Sequence, residues 1–164
     1  MKTIEFYLNI IHFCYYKAHY KLHLLSNKIN PFRLIAEIPI VKRKHKKMGI
    51  INFEKEIDNL FWDKTFGISV TFSGGYLMIL MLFFVFGVFS LIRKIFTAER
   101  LYGIHFVFFV ALSAFICYVF VLKKNKYIPY FNKFEKWNKV EKKKYGWFTF
   151  VITIAFFYLC ILGF

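Results

Sequence analysis

Three histidines stand on an otherwise apolar N-terminal stretch. His19 and His23 are four residues apart, and His12 lies seven before His19, so a helix would carry all three near one face. Two imidazoles one turn apart can share a metal ion or pass a proton. A metal centre needs a third ligand and, as a rule, carboxylates behind the imidazoles. The nearest acids, Glu5 and Glu37, have no evident register with them. The pattern fits polar rings at a water–lipid boundary better than a metal site. No catalytic residue, cofactor or metal is expected. Cys14, Cys117 and Cys160 are odd in number, and two of them sit in apolar runs, so they imply no disulfide framework.

Other chemistry-bearing patterns are thin. Arg100 and His105 make an R-x4-H spacing of the kind found in some ribonuclease-like helical domains. Here the pair straddles the mouth of an apolar run, and Arg100 is expected to be a boundary anchor. H-E-x-x-H, G-x-S-x-G, the P-loop and the dinucleotide fingerprint are all missing. An enzyme is therefore not the favoured class.

The elements that must position these residues are membrane helices. Val70–Ile92, Leu101–Leu122 and Gly146–Phe164 hold 23, 22 and 19 residues without an Asp, Glu, Lys or Arg. About 20 apolar residues cross the hydrocarbon core. Ion- and proton-coupled transporters place acids or bases at depth, and these runs have no Asp, Glu, Lys or Arg. The expected fold class is all-α: a polytopic membrane protein with three transmembrane helices, plus amphipathic interfacial helices on the cytoplasmic side. Residues 1–69 would form a basic N-terminal segment with helices at about 3–25 and 53–66. Residues 70–164 would form the membrane domain, with a Lys-rich link at 123–145.

Charge sets the orientation. The chain has 24 Lys+Arg against 9 Asp+Glu, a net of +15, and nine of the lysines fall in Lys123–Tyr145. Basic flanks stay cytoplasmic, which places the N-terminus inside and the C-terminus outside a bacterial inner membrane. The start, MKTIEFYLNIIHF, has an early acid and no small-residue cleavage site, so it does not read as a signal peptide.

Along the chain, Ile4, Leu8, Ile11, Tyr15, Ala18, Leu22 and Leu25 alternate spacings of four and three, which is one helical face. Lysines at 17, 21 and 28 make a separate stripe, and such a helix lies in the headgroup plane or packs on the ends of the spans. Asn30-Pro31 is expected to start a helix and Pro39 to end it. Lys42, Arg43, Lys44, Lys46 and Lys47 form the densest basic cluster. Beside three spans it is expected to meet anionic lipid headgroups rather than nucleic acid, at about 1 kcal/mol per basic residue near the surface. Asn52 should cap a helix whose Glu54, Glu56 and Asp58 suit its N-terminal dipole, with Lys64 in its last turn and Gly67 past its end. Trp62 is placed for the water–lipid boundary. Phe131, Phe134, Trp137 and Val140 recur at threes among the link's lysines. They suggest a second interfacial helix begun near Pro129, with Glu135 and Lys139 as an i,i+4 pair.

Small residues let helices approach closely in lipid. The expected packing face of the second span is Gly103, Val107, Val110, Ala114 and Cys117. That of the third is Thr149 and Thr153 with Cys160 and Gly163. No strict GxxxG occurs in a span.

Three spans with Lys-, Asn-, Phe-, Ile- and Tyr-rich sequence give the chain a plan that resembles immunity proteins against pore-forming bacteriocins. The likeness is one of composition and span count, and it carries over no residue. The favoured function is non-enzymatic: helix–helix interaction with a membrane protein partner or in a homo-oligomer. An immunity-type inhibitor of a membrane-active toxin, a membrane-disrupting or pore-forming effector, and an enzyme with a cytoplasmic histidine site are the rivals.

Overall fold

The computed structural model describes residues 2–31, 35–36, 38–96 and 103–163. Among these the chain is helical throughout its regular structure, without a strand. The helices are α1 (Lys2–Asn27), α2 (Pro39–Lys47), α3 (Phe53–Trp62), α4 (Ile68–Ile95), α5 (Gly103–Cys117), α6 (Tyr127–Glu135) and α7 (Lys139–Gly163). A π-helical turn, Tyr118–Leu122, and a short 3-10 turn, Lys123–Asn125, continue α5. Glu37, Arg100, Leu101, Tyr102 and Phe164, which figure in the sequence expectations, lie outside the described residues.

Three helices are long and apolar enough to cross a membrane: Ile68–Ile95, Gly103–Asn125 and Lys139–Gly163, with 28, 23 and 25 residues. At 1.5 Å per residue they rise about 35–42 Å, enough for a hydrocarbon core of about 30 Å. These are the lengths of a multi-pass membrane protein. The described part of the second run ends where Lys124 and Asn125 turn left-handed, with φ of 57° and 53°. Residues in that conformation stop a helix.

Two helix boundaries differ from the expectation. Pro39 begins α2 instead of ending the segment before it. Its ring fixes φ for a first turn, where its missing N–H is no loss. Helix α3 stops at Trp62, short of Phe66. Asn52 caps it as expected, accepting from the Lys55 N–H at 3.1 Å. Asp63 then accepts the Thr65 N–H at 2.7 Å, a local turn that competes with the helix. Lys64 and Gly67 therefore lie past the helix end.

The chain divides into two compact units: Met1–Tyr15 with Ser73–Phe164, and Tyr16–Phe72. The division leaves the first fifteen residues with the spans rather than with the rest of the N-terminal segment.

In the first unit, α4 and α7 meet through glycine. A Cβ built on Gly87 would lie 2.9 Å from the Cys160 backbone nitrogen and 2.9 Å from the Leu159 carbonyl carbon. Towards the far end of α4, Gly163 lies against Ser90. The Lys94 ammonium closes that end on the Leu162 carbonyl at 2.7 Å. Phe84 stacks on Phe156 at 4.6 Å between centroids. Helix α5 is seated on α4 by Phe109, which is buried against Phe86 and Phe89. The inward line of α5 and its π turn is Phe109, Ser113, Cys117 and Val121.

Helix α6 turns its aromatics onto α1. Phe131 and Phe134 are fully buried, and both meet Phe13 edge-on at 5.3 and 5.6 Å. The expected Glu135–Lys139 pair falls across a helix break. Helix α6 ends at Glu135, and Asn138 with Glu141 opens α7: the Asn138 side chain accepts the Glu141 N–H at 2.8 Å, and the Glu141 carboxylate accepts the Asn138 N–H at 3.0 Å. This reciprocal capping box is a new start, so the link's periodicity belongs to two helices.

The Gly87 contact is with backbone, which cannot swing aside. Gly87→Ala should therefore loosen the α4–α7 pair, costing about 1–3 kcal/mol as overpacking does. Thermal unfolding in mild detergent should show a lower midpoint. Gly75→Ala is the control, because nothing lies within 4 Å of a Cβ there; an equal loss in both variants would discard the close-approach argument.

Candidate functional site

The first unit holds a buried polar seam along α1. Asn9 and His12 are fully buried, an unusual cost for a helix of this composition. The Asn9 amide donates to its own Glu5 carbonyl at 2.7 Å and to the Phe120 carbonyl at 3.2 Å. Phe120 sits in the π turn, where i→i+5 bonding leaves carbonyls for outside donors. The neighbouring Val119 carbonyl is met by the Lys126 ammonium at 3.1 Å. The same ammonium pairs with the Glu5 carboxylate at 3.1 Å, and the Tyr130 hydroxyl donates to that carboxylate at 3.3 Å. Burial and the adjacent Glu5 charge push the Tyr130 phenol up from its ordinary value. Two side chains thus cap the end of the second span, and a third holds one of them in place.

His12 is packed edge-on to Tyr127 at 5.3 Å and against Phe131 at 5.0 Å, beside Gly74. The next turn of α1 docks on α7. The Tyr15 hydroxyl meets the Thr153 hydroxyl at 2.7 Å, and Thr153 donates to the Thr149 carbonyl. With the Thr153 proton committed there, the Tyr15 hydroxyl is the donor of the pair. Thr149 is buried and bonds back to the Tyr145 carbonyl.

The expected packing residues therefore divide. In α7, Thr149, Thr153, Cys160 and Gly163 face α1 or α4. In α5, Cys117 is buried, Val110 and Ala114 are half-buried, and Gly103 and Val107 are exposed. Within the single chain the α5 contact runs instead along Phe109, Ser113 and Val121.

The second unit gathers the other two histidines. The His23 imidazole pairs with the Asp58 carboxylate at 3.0 Å, and the Asn27 amide also donates to Asp58. His23 lies flat on Phe61 with centroids 3.6 Å apart. His19 is stacked between Phe61 and Phe72, and its Nδ1 lies 3.1 Å from the Ser69 hydroxyl. Burial first, and the nearby His23 second, hold the His19 imidazole below its ordinary value. The serine and the carboxylate contact different histidines, so the cluster does not form the relay of a hydrolytic triad. Among the described residues no group of three His, Cys, Asp or Glu could hold a metal. Trp62 sits under the Lys17 ammonium at 3.7 Å, with Tyr20 edge-on at 4.8 Å and its carbonyl taken by the Tyr16 hydroxyl.

Lys42, Arg43, Lys44, Lys46 and Lys47 all fall on α2, which buries no residue. Five cations and His45 crowd nine positions, with Ile40 and Met48 exposed beside them. His45 stacks flat on Phe53 at 4.7 Å, which ties this helix to the start of α3.

The sequence missed Asn9. A lone Asn among apolar residues carries no spacing signal, and its partner carbonyl is set by the fold 111 residues away. By sequence Asp58 is a residue suited to the helix dipole; its role as the His23 partner follows only from the packing of α3 on α1.

No family model, curated protein or solved structure matches the chain.

Asn9→Ala strands the Phe120 carbonyl in the bundle, at about 1–3 kcal/mol for an unmade bond. Lys126→Gln removes a half-exposed pair, worth at most about 1 kcal/mol. Unfolding in detergent should rank the two in that order, and the reverse order would shift the seam's weight to the ion pair. For the histidine cluster the sign follows from the depressed value. The unfolded chain binds a proton at its ordinary 6.5 while folded His19 resists it, so stability is complete above that pH and falls as pH drops below it. With Trp137→Phe and Trp147→Phe leaving Trp62 as reporter, denaturation at pH 5 should come earlier than at pH 7. His19→Gln should flatten that difference.

Proposed function

We propose that this chain is a small, non-enzymatic protein of a bacterial inner membrane that works through helix–helix contact with a membrane partner or a second copy. The observation that carries the reading is the state of the third span. Only 11% of its most apolar window is buried within the chain, against 28% and 22% for the other two. Its outward line, Phe150, Val151, Ile154, Tyr158 and Ile161, is more than half exposed. Aromatic and branched side chains on one line give a rigid surface for dispersion contacts, which drive association in lipid. The opposite line of the same helix is already spent on α1 and α4.

The charge pattern supports an N-terminus inside and a C-terminus outside. Nine lysines follow the second span, while Arg93 and Lys94 end the first. The basic α2, with no buried residue, fits a helix resting on anionic headgroups. α1 enters the same reading as an interfacial helix whose first half is packed on the span ends.

A photoreactive residue at Ile154 or Tyr158, activated in intact cells, should give a protein adduct of one discrete mass. The same residue at Thr149, on the inward line, should give none. Lipid adducts alone from every outward position would remove helix–helix contact as the working principle.

A further inference from the structure

A second feature of α7 concerns the lipid itself, and it rests on the membrane reading above. Gly146 leaves a notch in the helix surface at the start of the third span: nothing lies within 4 Å of where its Cβ would be. Lys143 stands one turn before the notch, and Trp147 and Phe150 follow it. These four residues line an open groove of about 370 Å³. Trp147 and Phe150 meet edge-to-face at 5.7 Å, and both are more than half exposed.

The cations around the groove are not equivalent. Lys142 donates to the Glu135 carbonyl at 2.8 Å, and Lys144 lies over the Tyr145 ring. Lys143 is exposed and makes no such contact among the described residues. Its ammonium has three donors to give. Below it comes a gap where a side chain is missing, and then two apolar rings. That sequence of chemistry matches one end of a phospholipid: an anionic phosphodiester, a glycerol backbone, and the first carbons of an acyl chain. Aromatic rings are at home at that depth.

We infer that the Lys143–Gly146–Trp147–Phe150 groove is a binding site for an anionic phospholipid, with Lys143 on the phosphate and the lipid's upper chain in the glycine notch. Basic residues near the surface attract anionic lipid in general. What this site adds is a fixed place, with a wall of aromatic carbon beside the charge.

The test uses the full chain with Trp62→Phe and Trp137→Phe, so that Trp147 is the sole tryptophan. It is reconstituted in phosphatidylcholine vesicles containing a minor fraction of chain-brominated lipid, either phosphatidylglycerol or phosphatidylcholine. Bromine quenches indole fluorescence only in near contact. Brominated phosphatidylglycerol should quench Trp147 at least twofold more than its zwitterionic counterpart. Lys143→Gln should bring the two lipids level, while Lys2→Gln, which removes the same charge elsewhere, should leave the preference intact. Gly146→Leu has open space to enter, so it should fold normally and still lower the preference. Equal quenching by both lipids in the unsubstituted chain, or a preference that survives Lys143→Gln, would overturn the site and leave the membrane reading standing. Quenching by neither lipid would overturn the membrane reading and the site together.

Discussion

A backbone carbonyl freed inside a bundle of apolar helices is answered by a donor from the same chain, because lipid offers none. That constraint organises the first unit. The π turn at the end of the second span leaves the Val119 and Phe120 carbonyls open to outside donors. Asn9 and Lys126 answer them, and Glu5 with Tyr130 holds Lys126. The N-terminal helix is in this way part of the bundle's hydrogen bonding. Its next turn repeats the arrangement on the third span, through Tyr15 and Thr153. The aromatic packing of Phe13 on Phe131 and Phe134 supplies area between these polar points. The polar points fix where along α1 each neighbour must sit.

Close approach of the spans has a different origin. Helices α4 and α7 gain little from burying apolar surface, since lipid tails are as apolar as they are. Contact energy comes from atoms at van der Waals distance, and glycine is what permits that distance. Gly87 takes the backbone at Leu159–Cys160, and Gly163 takes Ser90. On α4 these contacts are three residues apart, less than one turn, so together they mark a single point of close crossing. Phe84 stacks on Phe156 about one turn before that crossing.

What could be read from the residues alone followed from length and charge. Three uncharged runs dictate three helices of spanning length, and three appear; the third begins at Lys139, seven residues ahead of its uncharged run. Local capping chemistry was legible at Asn52. It was not read at Pro39, where a proline can end one segment or open the next, nor at Asn138 and Glu141, whose box sits inside an aromatic period that looked continuous. Side-chain partners across the chain were the least accessible. Spacing put His19 and His23 on one face, yet Ser69 and Asp58 reach different members of that pair from different helices. Residue size points to the stripe of small residues in α5, whereas the contact of α5 with α4 is made by the bulk of Phe109. Small size marks where backbones can come together, and large rings fill in where they do not.

The widened turn at Tyr118–Leu122 also makes chain length itself a structural quantity. One residue more than an α-helical turn is stored there, and each residue of helix carries about 100° of rotation. Deleting a single position in that turn would swing everything after it by roughly that angle. Lys126 and Tyr127 would leave Glu5 and His12, although no side chain that makes those contacts had been altered. The count of residues between Cys117 and Lys123, as much as their identity, keeps the second span in phase with the N-terminal helix.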